Sequence, residues 1–285
     1  MRILVTGAGG QLGQELQQIA KSHRDVQFFF YTKEQLDITD SSAIALVFKE
    51  VLPDYCINCA AYTLVDNAES ERDLAFNINA EAVGYVARQC KSAGTKFIQI
   101  STDYVFDGTA TEPYKEDAAT NPLNIYGASK LEGERLAVKA NGDTLIIRTS
   151  WVYSSYCANF VKTMLRLMPV KEEMGIVDDQ YGCPTYAADL GQAILTIISS
   201  GKWIPGIYNY SNEESTTWYK FAVAIRQHCN FPCLLHPIAT SQYPTPAKRP
   251  NYSVLDTGKI RETYGLAIRK WSDCLHECLD VLHCE

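Results

Sequence analysis

The sequence predicts an α/β fold, a doubly wound parallel sheet with a smaller C-terminal α/β lobe. Three observations carry this expectation. Apolar strand-like runs alternate with helix-like segments through the first half of the chain. Those runs read as near-continuous apolar stretches, as expected of strands covered on both faces of a parallel sheet. A glycine turn, Gly7-Ala8-Gly9-Gly10-Gln11-Leu12-Gly13, follows the first run directly and opens the first helix, as in a Rossmann-type unit.

In order, strand-like runs fall at 2–5, 26–31, 55–58, 97–100 and 144–147, with helix-like segments at 11–21, 41–50, 69–93 and 125–140. Asp40 is suited to N-cap the second helix, and Pro53 stands beyond its end. Gly94 stops the third, whose length suggests a break at 71–73. After residue 150 the rhythm loosens. Helical stretches at 159–168, 186–199 and 216–227 alternate with short apolar pieces at 175–177 and 206–210. The segment 232–251 holds five of the eleven prolines and reads as an irregular surface lobe. The expected division is a dinucleotide-binding domain at 1–150 and a mainly substrate-binding lobe at 151–285, with some later segments returning to the first sheet.

A net charge of −7 and the lack of a basic run argue against a nucleic-acid partner. The start of the chain runs straight into a strand without a leader pattern, and no apolar segment reaches the roughly 18 residues of a membrane span. The expectation is a cytoplasmic protein with no membrane partner. Ten cysteines are present. Cys56 and Cys59 have Cys-x-x-Cys spacing but lie on a predicted strand and its turn, with no second ligand pair downstream. Cys274, Cys278, His276, His283 and Cys284 crowd the C-terminus at largely helical spacing and read as helix packing. The thiols are expected to be reduced, and no metal site is expected.

Two motifs point to chemistry. The glycines fit Gly-x-x-Gly-x-x-Gly at Gly7, Gly10 and Gly13, a spacing that permits a tight turn, backbone approach to a pyrophosphate, and close helix–strand packing. Downstream, Tyr126 and Lys130 lie four residues apart on a predicted helix and so share a face. An ammonium and a nicotinamide cation would both favour the phenolate and lower its pKa from about 10. Thr102, at the end of the fourth strand, is placed to hydrogen-bond a reacting oxygen. At the end of the second strand Thr32 and Lys33 stand where a ribose-binding carboxylate would be. This leans towards NADPH and leaves NADH open. The loops 36–40 and 58–63 follow the second and third strands and are candidates for the adenine and ribose.

These motifs, with Ser101-Thr102-Asp103-Tyr104-Val105-Phe106-Asp107-Gly108, Arg148-Thr149-Ser150-Trp151 and Asp179-Gln180-Tyr181-Gly182-Cys183-Pro184-Thr185, make the chain resemble the extended short-chain dehydrogenase/reductases nearly end to end. Within them it is most similar to the dTDP-4-dehydrorhamnose reductases. The resemblance implies reduction of a dTDP-4-keto-sugar by NADPH or NADH, with Thr102, Tyr126 and Lys130 as the catalytic set. It also implies that Gly7, Gly10, Gln11, Leu12 and Gly13 line the pyrophosphate. Asp37, Ile38, Ala60, Ala61, Tyr62 and Thr63 would line the rest of the cofactor. Val65, Asp103, Tyr104, Trp151, Asn159 and Arg249 would face the nucleotide-sugar, the Arg249 guanidinium matching its diphosphate. A nucleotide-sugar 4-epimerase or dehydratase of the same superfamily, or a non-catalytic cofactor-binding relative, are the alternatives. The first would keep its NAD through purification, and the second would lack the Tyr/Lys pair.

The chain departs from the pattern in two places. Relatives that dimerise through Mg²⁺ carry a glutamate on the first helix, matched by Glu15, and acidic residues after the Pro-Thr turn. Here that stretch is Thr185-Tyr186-Ala187-Ala188-Asp189. The expectation is therefore a monomer or weak homodimer. Asn209 stands where a histidine is more usual.

Overall fold

The computed structural model describes residues 1–282. The first half runs β1 (Arg2–Thr6), α1 (Gln11–Ala20), β2 (Gln27–Tyr31), α2 (Ser41–Val51) and β3 (Tyr55–Asn58). Then come α3 (Arg72–Phe76) and α4 (Ala82–Ala93), joined by a π-helical turn at Asn77–Glu81, followed by β4 (Lys96–Thr102), α5 (Ile125–Ala140) and β5 (Thr144–Thr149). Short strands β6 (Val152–Tyr153), β7 (Glu173–Val177), β8 (Tyr181–Gly182) and β9 (Thr185–Tyr186) surround α6 (Phe160–Leu167). The remainder is α7 (Ala187–Ser199), β10 (Gly206–Asn209), β11 (Thr216–Thr217), α8 (Trp218–His228), β12 (Leu234–Ile238), α9 (Gly258–Tyr264) and α10 (Trp271–Val281). No described helix is long and apolar enough to cross a membrane.

The main sheet has six parallel strands in the order β10-β5-β4-β3-β1-β2. The chain steps from β1 out to β2 and then crosses back to lay β3 on the other side. That reversal opens a crevice above the C-terminal strand ends, where such sheets bind ligands. Strand residues alternate between two cores, as a period of two demands. Ile3, Val5, Ile57, Ile98 and Ile147 pack with Leu16, Leu190 and Ile194 of α1 and α7. Leu4, Cys56 and Phe97 pack with Phe48, Val83 and Val86 of α2 and α4. Burying each such aliphatic or aromatic chain stabilises the fold by about 1.5–3 kcal/mol.

The expected helix starts and stops are found. Asp40 accepts the amides of Ser42 and Ala43 at 2.9 and 3.0 Å, and Gly94 ends α4 at φ 68°. Within the proline-rich stretch read as irregular, Leu234–Ile238 forms a strand pairing in parallel with β7. Its Pro237 is tolerated because the two-stranded sheet leaves one edge of β12 free of a ladder. A third core joins α6, α8 and α10, and Cys274 and Cys278 are fully buried there beside Leu275 and Phe221. Both are free thiols. Cys229 stands at the end of α8, also buried in this core. His283 and Cys284 lie outside the described residues.

Candidate active site

A cavity of about 1140 Å³ opens over the C-terminal ends of β1, β3, β4 and β5. At one end the glycine turn leads into α1. Gly7 has φ +65°, and a Cβ there would stand 2.4 Å from the Ala60 amide nitrogen, so only glycine fits between the two loops. A Cβ on Gly13 would come within 2.6 Å of Ala8 Cα and the Gly7 carbonyl oxygen, so its role is close packing of α1 on the turn. Gly7, Gly10, Gln11 and Leu12 line the cavity, as do Thr32, Lys33, Asp37 and Ile38. Lys33 is exposed at the rim. The Asp37 carboxylate takes the Thr39 amide and hydroxyl at 2.9 and 2.8 Å, which hold its pKa below the usual carboxylate range.

Ala60, Ala61, Tyr62, Thr63 and Val65 form the wall after β3. This loop is fixed by Asn79 from the π-helical turn. The Tyr62 amide donates to Asn79 Oδ1 at 2.8 Å, while Asn79 Nδ2 donates to the Tyr62 carbonyl and to Ser129 Oγ, both at 3.0 Å. The Tyr62 hydroxyl donates to Glu71 Oε2 at 3.0 Å.

Thr102, Tyr126 and Lys130 meet on the floor of the cavity. Asn124 N-caps α5 by accepting the Gly127 amide at 2.8 Å, which sets Tyr126 in the first turn and Lys130 one turn further in. Burial pushes the Tyr126 phenol up to about 12, against a lowering hydrogen bond from Thr102. The sequence reading expected it lowered. In the protein by itself burial and then the Asp103 carboxylate raise it, together outweighing the Thr102 hydrogen bond, and the Lys130 ammonium is turned to the Ile100 carbonyl oxygen at 2.7 Å. Burial also lowers Lys130 to about 8, while Glu134 and Cys59 raise it. The Thr102 hydroxyl donates to Asp103 Oδ1 at 3.0 Å and accepts the Tyr104 amide at 3.2 Å. Burial lifts the Asp103 carboxyl to about 7, against hydrogen bonds from Ser253 and Thr102 that lower it.

The far wall is aromatic. Trp151, at φ +47°, stacks on Trp218 with ring centroids 3.6 Å apart, and Phe160 and Phe221 stand beside them. Asn159 caps α6 and ties this wall to the glycine turn through Gln11 Oε1 at 3.0 Å. Of the residues expected at the site, Gly13, Asp103, Tyr104 and Arg249 are not part of the lining. Tyr104 packs edge-on against Tyr126 at 6.0 Å. Arg249 is forked onto Asp66 at 2.9 and 2.8 Å.

The family model for the RmlD substrate binding domain matches residues 1–284. The chain belongs to this family. It is 41% identical to the spore coat polysaccharide biosynthesis protein SpsK of Bacillus subtilis, over 98% of this chain and 96% of that protein. It is 39% identical to a dTDP-4-dehydrorhamnose reductase of Aggregatibacter actinomycetemcomitans, over 96% of this chain and 97% of that one. A crystal structure of dTDP-4-dehydrorhamnose reductase from Bacillus anthracis, in complex with NADP, superposes with a TM-score of 0.94 at 40% identity, covering 98% and 99% of the two chains.

Sequence reasoning missed Asn79, Trp218, Phe160 and Cys157. Asn79 lies inside a continuous helical pattern. Trp218 and Phe160 read as core positions on the amphipathic helices of an RmlD-family lobe. Cys157 lines the cavity with its thiol 3.3 Å from the Gly9 carbonyl oxygen, and no local pattern marks it.

Proposed function

We propose that this protein reduces the C4 ketone of dTDP-6-deoxy-L-lyxo-4-hexulose to give dTDP-L-rhamnose, with NADPH or NADH as hydride donor. The observation that carries the reading is that one cavity joins the glycine turn to Thr102, Tyr126 and Lys130, in a chain whose relatives include named dTDP-4-dehydrorhamnose reductases. A dinucleotide fits the residues present. The turn is kept free of side chains at Gly7, Gly9 and Gly10, and the start of α1 offers unpaired amides and a positive dipole end to a pyrophosphate. On this reading the first 150 residues carry the cofactor and the later part mainly holds the sugar nucleotide.

The dihydronicotinamide, when bound, supplies hydride to the sugar carbonyl carbon. Thr102 hydrogen-bonds the ketone oxygen and polarises it. Tyr126 holds its proton firmly at neutral pH and delivers it to the alkoxide oxygen as charge develops there. Lys130 holds the nicotinamide ribose and stabilises the phenolate that proton transfer leaves. Gly7, Gly10, Gln11 and Leu12 hold the pyrophosphate, and Thr32, Lys33, Asp37, Ile38, Ala60, Ala61, Tyr62 and Thr63 the two riboses and adenine. Val65, Trp151 and Asn159 face the sugar nucleotide, and Asp103, Tyr104 and Arg249 complete its side of the site. The expected location is the cytoplasm, where the cofactor is supplied.

The reading is tested by incubating the purified protein with the dTDP-4-keto-sugar and NADPH. The wild type should oxidise NADPH in step with product, and Tyr126→Phe should lose on the order of 10²–10⁴ in rate while binding NADPH normally. Tightly retained NAD after purification, with no net NADPH oxidation, would point instead to an epimerase or dehydratase.

We further infer a monomer or weak dimer that needs no divalent ion. Glu15 is buried and accepts the Ser154 hydroxyl at 2.6 Å. The nearby Asp189 and Glu277 are both taken by the Arg269 guanidinium, whose Nη1 lies 2.6 Å from Glu277 Oε2.

A further inference from the structure

Tyr126, Lys130 and Glu134 recur at four-residue spacing on α5 and form one stripe. Glu134 is the deepest of the three. Its carboxylate accepts Arg148 Nε at 2.9 Å and Nη2 at 2.7 Å in a forked pair, and the Ser101 hydroxyl at 2.5 Å. The two charged side chains are 4% and 2% exposed, so the pair is cut off from water. Arg148 Nη1 continues to the Glu116 carbonyl oxygen at 3.1 Å. A buried ion pair is weak evidence of stabilisation, because an apolar pair of the same volume often serves as well. Its location suggests another purpose.

Three consecutive residues of β4 serve the site, one by its backbone and two by their side chains. The Ile100 carbonyl receives the Lys130 ammonium, Ser101 bonds Glu134, and Thr102 presents its hydroxyl to the cavity. Glu134 therefore pins α5 to β4 at the residue between the lysine's anchor and the polarising threonine. The groups around Lys130 are few. On α5 they are Glu134 and Tyr126, and at the end of β3 the Cys59 thiol. On β4 they are the Ile100 carbonyl and the Ser101 and Thr102 hydroxyls. Arg148 of β5 lies behind Glu134, and Asp103 acts on Tyr126. Burial drives the lysine towards its neutral form, and Glu134 is the largest opposing influence, ahead of Cys59.

We propose that Glu134, held in place by Arg148 and Ser101, is a positioning residue that keeps the Lys130 side chain charged and anchored at the end of β4 beside Tyr126. This rests on the reading of Lys130 as part of a reducing site, but its test needs neither substrate nor turnover. The ammonium of Lys130 is followed by NMR with ¹⁵N-labelled lysine side chains, the resonance being assigned by its loss in Lys130→Met. In folded Glu134→Gln, the titration midpoint should fall by on the order of one unit, as expected for removing an adjacent opposite charge. NADPH affinity should then weaken at an earlier pH than in the wild type. Since Glu134→Gln strands a buried guanidinium, the double variant Glu134→Gln/Arg148→Met provides a second arm without an orphaned charge. Its midpoint should also lie below that of the wild type. A folded variant of either kind with an unchanged Lys130 midpoint would overturn the proposal. So would an unchanged midpoint accompanied by lower thermal stability, which would assign the pair a purely structural role.

Discussion

Asn79 grips Tyr62 by both backbone groups, taking its amide at 2.8 Å and giving a proton to its carbonyl at 3.0 Å. The asparagine is buried in the π-helical turn between α3 and α4, a local widening of the kind that recurs at functional sites. Its third bond, to Ser129, ties the loop to the helix that carries Tyr126 and Lys130. Asn79→Ala leaves two backbone groups without partners in a buried place. The expected cost is about 1–3 kcal/mol in chemical denaturation, with weaker NADPH binding. Unchanged stability and affinity would show that the loop holds its shape without this residue.

The electrostatics of the site set a pH dependence. Lys130 is lowered to about 8, so its charge is complete below that pH and fades above it. Tyr126 is raised to about 12 and remains protonated throughout the range. The kcat/KM for reduction, which reports the free enzyme, should therefore decline as pH rises through about 8. The decline belongs to the lysine. A profile flat to pH 10 would contradict this assignment.

Cofactor choice should depend on the rim beside Gly9. Thr32 and Lys33 line the cavity there, Lys33 exposed, and Asp37 is committed to Thr39. NADPH should be used at least as well as NADH, and Lys33→Ala should reduce the advantage of NADPH selectively. A strong wild-type preference for NADH in kcat/KM would show that another group reads the ribose.

Assembly should not depend on a divalent ion. With Arg269 on Asp189 and Glu277, the carboxylates near Glu15 already have a cation. Sedimentation and activity should be indifferent to EDTA. A stable dimer that dissociates on chelation would refute this.

The parallel sheet, its helices and most of the cavity lining are legible in the sequence because each depends on a local pattern. Buried strands read as apolar runs, Asp40 and Gly94 mark helix ends, and the glycine turn marks a place where side chains do not fit. Features that depend on distant partners are not legible. Nothing near Arg249 foretells that Asp66 takes both its Nη atoms. Asn79 continues a helical pattern whose widening arises where the chain meets α5. The strand at Leu234–Ile238 is hidden by Pro237, acceptable only because β12 pairs on one side.

The most direct test of the central claim follows one hydrogen atom. NADPH carrying deuterium in the transferred position at nicotinamide C4 is mixed with the purified protein and dTDP-6-deoxy-L-lyxo-4-hexulose, and the product sugar is examined by NMR. One deuterium should appear at C4 of dTDP-L-rhamnose for each NADPH oxidised, with transfer nearly abolished in Tyr126→Phe. Conversion of the sugar without deuterium at C4, or with the cofactor left reduced, would contradict it.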